Sequence, residues 1–227
     1  MNQTLLNELI QNAVHFGHRS NKWNPKMRPF IYDKRYGIHI FDLTKTVECL
    51  EKAINYVKKI TGEGKTILFV STKPQCEEII QECAKKCGMP YVTERWISGF
   101  LTNFETIRRR IRELRELKEK DKEGEFEKYT KKEALSLRKT IEKLEAALGG
   151  VKDLQKLPNA IFVADAMVDK IAITEAKKLR IPIIAIIDTN ANPSHITYPI
   201  PGNDDAIKSL KYLISKISDA VGAVKKK

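Results

Sequence analysis

Long apolar runs are what this chain of 227 residues most plainly lacks. Its continuous hydrophobic stretches, such as residues 67–70 and 183–187, are strand-length, far below the roughly 20 residues that cross a bilayer. Residues 2–12 are polar at helical spacing, with no basic start and no long apolar core, so no secretory signal is read there and a cytosolic setting is expected. Cysteine is scarce. Cys76, Cys83 and Cys87 lie seven and four residues apart, with Cys49 far away, which fits neither a paired CxxC zinc site nor a secreted disulfide framework. Reduced thiols packed as small apolar side chains are expected. Acidic residues are the minority, 29 against 41 Lys and Arg, giving a formal charge of +12 and a pI near 9.4. Such an excess points to a polyanionic partner, nucleic acid first and an anionic membrane surface second.

Signatures of catalysis are missing as well. Thr61 to Thr66 reads TGEGKT, like the end of a phosphate-binding loop, but position 59 is Lys where that loop needs glycine. The segment also leads into a strand instead of following one. No dinucleotide-binding glycine fingerprint follows any expected strand, and no nucleophile and base stand out as a pair.

Basic and aromatic side chains are present in one crowded stretch, residues 15–46, whose only acids are Asp33 and Asp42. Lys22, Lys26, Arg28, Lys34 and Arg35 can neutralise phosphates, while Trp23, Phe30, Tyr32 and Tyr36 offer flat faces for stacking. The plainer alternative is a basic loop and edge hairpin, in which Trp23 wedges between the first helix and the sheet and His15 orients a turn.

Around that stretch the hydrophobic period alternates between helix and strand. Leu5, Leu6, Leu9, Ile10 and Ala13 predict a short amphipathic helix ending near Gly17. Residues 28–34 and 37–41 predict a small hairpin. Asp42 or Thr44 can cap a helix whose stripe runs from Leu43 to Ile60. Strands are expected over residues 66–71, 91–93, 160–164 and 183–187, with helices over 73–87, 170–179 and 205–221. Buried strands alternating with amphipathic helices argue for a parallel sheet covered on both faces.

Residues 103–148 break the alternation. Ile107, Ile111, Leu114 and Leu117, then Leu137, Ile141, Leu144 and Leu148, recur at helical spacing around a polar centre at residues 120–128. This predicts an antiparallel helical hairpin with arms of roughly 27 Å, protruding from the body and pairing mainly with itself. Arg108, Arg109, Arg110, Arg112 and Arg115 crowd its base, either as a phosphate site or as a solvated face paired to Glu113, Glu116 and Glu119. The expected division is an α/β body over residues 1–102 and 149–227, the hairpin over 103–148, and a basic tail over 222–227.

One further cluster follows the strongest strand: Asp188-Thr189-Asn190-Ala191-Asn192-Pro193, then His195 and Gly202-Asn203-Asp204-Asp205. Ligands of open α/β sheets sit at the carboxyl ends of strands. Asp188 with Asp204 or Asp205, and His18, make a plausible zinc or magnesium site, with Asp165 within reach. The simpler reading makes Asp188 and Asn190 turn formers and Asp204 a helix cap.

VHFGHRSNKWNPKMRPFIYDKRYGIHIFDLTKT, FVSTK, RWISGFLTNFETI, DTNANP and PIPGNDDAI, in that order, resemble the bacterial-type ribosomal protein S-two family of the small ribosomal subunit. The resemblance implies a flavodoxin-like α/β fold in three layers, with an inserted antiparallel coiled-coil hairpin. It implies a non-enzymatic, cytoplasmic ribosome component that binds small-subunit rRNA at the head–body junction. Neighbouring small-subunit proteins are implied too, including the OB-fold protein that captures mRNA. No homo-oligomer and no membrane contact are expected. The rRNA candidates are Lys22, Trp23, Lys26, Arg28, Arg35, Tyr36, Arg108, Arg109, Arg110 and Arg112. No cofactor is required on this reading, and a zinc or magnesium ion at His18, Asp188, Asp204 and Asp205 is an option. The competing classes are an α/β enzyme acting on a phosphorylated metabolite and a coiled-coil adaptor.

Overall fold

A computed structural model describes residues 3–225. The chain opens with α1 (Gln3–Gln11), which stops short of Gly17 because Ala13 turns into the left-handed region at φ 56°. β1 (Phe16–Arg19) follows, beginning where the helix was expected to end and continuing where no strand was expected. A 3-10 helix, Pro25–Phe30, takes the residues expected to begin the hairpin, and Asn24 caps it by accepting from the Lys26 N–H. β2 (Ile31–Arg35) and β3 (Ile38–Phe41) then pair through a two-residue turn with Tyr36 at φ 50° and Gly37 at φ 77°. Two left-handed residues define the mirror-image turn that matches strand twist. β3 lies between β1 and β2 in a small antiparallel sheet.

The main body begins with α2 (Leu43–Gly62), capped by Asp42, whose carboxylate accepts from the Thr44 N–H at 3.0 Å. Next come β4 (Ile67–Val70), a 3-10 turn begun by Pro74, α3 (Glu77–Cys87) and the short β5 (Tyr91–Val92). After α4 (Phe104–Lys122) and α5 (Lys131–Leu148), β6 (Ala160–Val163), α6 (Lys170–Lys178), β7 (Ile183–Ile187), β8 (Tyr198–Pro201) and α7 (Ile207–Lys225) complete the chain. The five parallel strands lie in the order β5-β4-β6-β7-β8. That is 2-1-3-4-5 counted along the chain, the flavodoxin-like order.

β4, β6 and β7 are buried throughout, so successive residues feed two different cores. Phe69, Phe162, Ile184 and Ile186 pack under α2, α3 and α7, whereas Leu68, Val70, Ile161, Val163 and Ala185 face Trp96, Phe100 and α6. Ile107, Ile111, Leu114 and Leu148 join this second core. The inner turns of α4 and the end of α5 are therefore part of the body's interior, not a seam closed only on itself. Further out, α4 and α5 are tied by Lys118–Glu145 at 2.5 Å and Arg138–Asp121 at 3.1 Å. Buried Phe126 sits in the turn that joins them.

α7 runs to Lys225, whose ammonium donates to the Gly88 carbonyl at 2.8 Å, so residues 222–225 are helix where a tail was expected. Lys226 and Lys227 lie outside the described residues. Cys76, Cys83 and Cys87 are buried free thiols and Cys49 is half-buried, as the spacing suggested.

Candidate functional site

The flavodoxin-like order places a crevice where β4 and β6 lead their chains to opposite sides. Four strand ends deliver polar residues there: Lys73 after β4, Asp165 after β6, Asp188 after β7, and Asp204 with Asp205 after β8. His18 arrives from β1, and Gly17 permits the approach. A Cβ at Gly17 would stand 2.6 Å from Thr189 Cγ2 and 3.2 Å from Asp188 Oδ1. His18 Nδ1 lies 3.1 Å from Asp188 Oδ2, its Nε2 lies 3.6 Å from Asp205 Oδ2, and its backbone N–H donates to Thr189 Oγ1 at 3.0 Å. The hydrogen bond to Asp188 outweighs burial and holds the imidazole's pKa up at about 9.

Lys73 is the counter-charge that sequence reasoning missed. Its ammonium is 3.0 Å from Asp165 Oδ2, 2.8 Å from Asp205 Oδ1 and 3.5 Å from Asp204 Oδ1, with the side chain only 14% exposed. Burial works against its charge, yet Asp205, Asp204 and Asp165 together hold its pKa above the ordinary lysine value. Its position directly after the first core strand was the available signal. Asp169 accepts from the Thr72 N–H and hydroxyl, and burial raises its pKa to about 6.

Asp204 is not the helix cap. Asn203 holds the turn that leads into α7, accepting from the Asp205 and Ala206 N–H groups. Both carboxylate oxygens of Asp204 are buried without a hydrogen bond. Burial, then the Asp165 and Asp188 charges, push its pKa up to about 7. Asp188 does hold its loop, accepting from the Thr189 N–H and hydroxyl, while Asn190 Oδ1 is buried without a partner. Ligand atoms of His18, Asp188 and Asp204 lie within 4.8 Å of one another. A buried carboxylate without a hydrogen bond, beside an imidazole and a second carboxylate, fits a divalent cation, and the imidazole suits zinc better than magnesium.

The expected RNA-facing residues are exposed. Lys22, Lys26, Arg28, Arg35 and Tyr36 all reach solvent. Lys26 and Arg28 line a shallow groove of about 760 Å³ with Phe30 and Pro193. Trp23 is 37% exposed and packs against the His39 ring at 5.3 Å between centroids, not between α1 and the sheet. At the hairpin root, Arg108 pairs with Glu105 at 3.2 Å, Arg110 with Glu113 at 2.7 Å, and Arg112 with Glu105 at 4.0 Å. Among the described residues Arg109 has no carboxylate within 4.0 Å, and the same holds for Lys22, Lys26 and Arg28. A larger cleft of about 1080 Å³ opens at the amino ends of β4 and β6, lined by mixed charges such as Lys65, Lys152, Glu77 and Asp153.

The sequence model of the family Ribosomal protein S2 matches residues 9–223. The chain belongs to this family. The Ribosomal protein S2 family is a structural, non-enzymatic class of the small ribosomal subunit, and membership implies association with the ribosome and its rRNA. No helix among the described residues is long and apolar enough to cross a membrane. The ordered RWISGFLTN segment has its own anchor, which sequence reasoning also missed. The buried Glu175 carboxylate accepts from the Trp96 indole at 3.1 Å and from the Gly99, Leu101 and Thr102 N–H groups at 2.7, 2.9 and 3.2 Å. In this member of the Ribosomal protein S2 family, that carboxylate fixes the loop from which α4 departs.

Proposed function

We propose that this protein is a structural rRNA-binding component of the small subunit, seated at the head–body junction and held chiefly by its N-terminal basic segment. The supporting observation is the pairing pattern: Lys22, Lys26 and Arg28 present unpaired charge, whereas Arg108, Arg110 and Arg112 already meet glutamates. Each unpaired cation releases counterion when it meets a phosphate, so these positions carry the salt-dependent part of binding. Arg109 is the remaining phosphate candidate at the hairpin root. Trp23 acts mainly in packing against His39, and Tyr36 is the aromatic free to stack. The α/β body and the helical pair make two functional parts, the second reaching towards neighbouring proteins. A role in recruiting the OB-fold mRNA-binding protein, where the organism has one, belongs to the N-terminal region and the edge of the α/β body.

The cation site belongs to the same reading. His18, Asp188 and Asp204 would hold a zinc ion, with Asp205 beside them. The ion's contribution would be structural, cross-linking β1 to the ends of β7 and β8. The chain's own residues already align that segment through the His18 and Asp188 contacts.

The test is incorporation into reconstituted small subunits across a salt series. Replacing Lys22, Lys26 and Arg28 by Gln should lower occupancy and flatten the salt dependence, while the triple change at Arg108, Arg110 and Arg112 should do less. Equal effects of the two sets would refute the assignment. A wild-type chain that fails to sediment with the subunit would refute the ribosomal role itself.

A further inference from the structure

The hairpin tip carries a residue that its turn does not favour. Both central positions of the β2–β3 turn are left-handed, with Tyr36 at φ 50° and Gly37 at φ 77°. Asn-Gly is the preferred pair there, because a bulky side chain is strained at positive φ. Tyr36 is also the most exposed aromatic of the described residues, fully open to solvent. A strained backbone and a solvated ring both oppose folding, which directs attention to what the ring does outside the fold.

The surroundings of the tip are fixed and basic. The Ser20 N–H donates to the Gly37 carbonyl at 2.8 Å, tying the turn to the segment after β1. Arg19 is registered with Ile38, and Ile38 with Arg35, so two arginines flank one outward residue on the row next to the turn. Arg35 uses its Nε on Asp33 at 3.3 Å, and no carboxylate among the described residues lies within 4.0 Å of Arg19. Lys34 follows on β2, its strand partner His39 buried beneath Trp23.

The geometry points to the tip of this small sheet as a clamp for one unpaired RNA nucleotide: its base stacks on Tyr36 and its flanking phosphates lie between Arg19 and Arg35. This rests on the rRNA-binding role proposed above and names the element it recognises. A ring that projects alone stacks on an open base face, and bases inside a duplex have none to offer. The two arginines match the backbone on either side of such a base.

The test uses small subunits reconstituted with wild-type protein, Tyr36→Asn, Tyr36→Phe, or the double change Arg19→Gln and Arg35→Gln, with base-specific chemical probing of the rRNA. Asparagine suits the turn, so Tyr36→Asn should melt at the same or a higher temperature than wild type. A nucleotide protected by wild type and by Tyr36→Phe should become at least fivefold more reactive with Tyr36→Asn, matching the roughly five- to hundredfold value of one stacked base. The arginine double variant should reduce the slope of log affinity against log salt by about 1.4, or 0.7 per phosphate on a single strand. Unchanged rRNA reactivity with Tyr36→Asn overturns the clamp while leaving rRNA binding intact. So does a photocrosslinker at position 36 that attaches only to protein. Failure of wild type to enter the subunit overturns the clamp together with the role it rests on.

Discussion

Replacing Glu175 by Gln should destabilise the protein far more than the loss of one exposed charge. The carboxylate accepts five hydrogen bonds: one oxygen serves Trp96 Nε1 and the Gly99 N–H, the other the Leu101 N–H, the Thr102 N–H and the Thr102 hydroxyl. An amide has the same shape, but one of its two ends carries hydrogens. Whichever way it turns, one buried donor, Trp96 Nε1 or the Leu101 N–H, and at least one half-buried donor then face an NH2 group. Stranding a buried donor costs about 1–3 kcal/mol, and the bonds that survive lose their charge assistance. A total of roughly 3–5 kcal/mol follows, and at about 2–4 °C per kcal/mol for a chain of this size the midpoint should fall by roughly 6–20 °C.

Differential scanning calorimetry reads that shift, and hydrogen exchange should locate it at Gly99, Leu101 and Thr102. The sign with pH is set by the carboxyl. Burial pushes it up, but the Gly99 N–H, the Trp96 indole and the other donors outweigh burial and hold it below the ordinary 4.5. Its contribution is therefore present above pH 4.5 and disappears as pH falls through the lower folded value, so wild type and Glu175→Gln should converge in acid. A Glu175→Gln midpoint within about 2 °C of wild type at pH 7 would refute the hydrogen-bond accounting.

Lys73→Met should cost about 3–5 kcal/mol in chemical denaturation at pH 7, because it leaves Asp165, Asp204 and Asp205 without their shared cation; a loss below 1 kcal/mol would contradict that role. His18 has a folded value of about 9 against an ordinary 6.5, so in chelator-treated protein its stabilisation is complete below pH 6.5 and fades as pH rises through 9. The gap between wild type and His18→Gln in thermal melts should follow that course, and a constant gap would refute it. Zinc binding has the opposite trend: it requires loss of the His18 proton, so titration calorimetry should record proton release and tighter binding from pH 7 to 9. Ile111→Ala should lower stability by about 2–4 kcal/mol, since Ile111 lies in the body's second core. Excising residues 118–130 with a short reconnection should preserve a single cooperative melt, and loss of that melt would show the outer helices to be integral.

What the sequence made legible follows from local rules. β4, β6 and β7 are continuous apolar runs, the long helices keep their stripes, and Asp42 caps α2 as its position before Leu43 suggested. The misses are non-local. β1, with the sequence FGHR, has no strand period and exists because β3 offers it an edge. β8 holds Pro199 and Pro201, which argue against a strand until its place at the sheet edge beside β7 is known. Asp188, Asp204 and His18 were readable as candidate ligands from residue type and loop position. Lys73 shared that signal, standing directly after β4, but went unread; Glu175 gave none, because Trp96 lies 79 residues away in a loop that no spacing rule connects to α6. The hairpin root was misjudged for the same reason: periodicity identifies an apolar stripe but not the surface that covers it.

The contacts that seat the N-terminal basic segment join opposite ends of the polypeptide. His18 reaches Asp188, 170 residues later, the Asn24 N–H donates to the Thr189 carbonyl, and the Asn203 side chain donates to the Ala13 carbonyl. During vectorial synthesis, the first strongly basic stretch to leave the ribosome therefore lacks these partners until β7 and β8 have followed it out. A nascent chain stopped before residue 188 carries the N-terminal basic stretch without the Asp188, Thr189 and Asn203 partners that tie it to the parallel sheet.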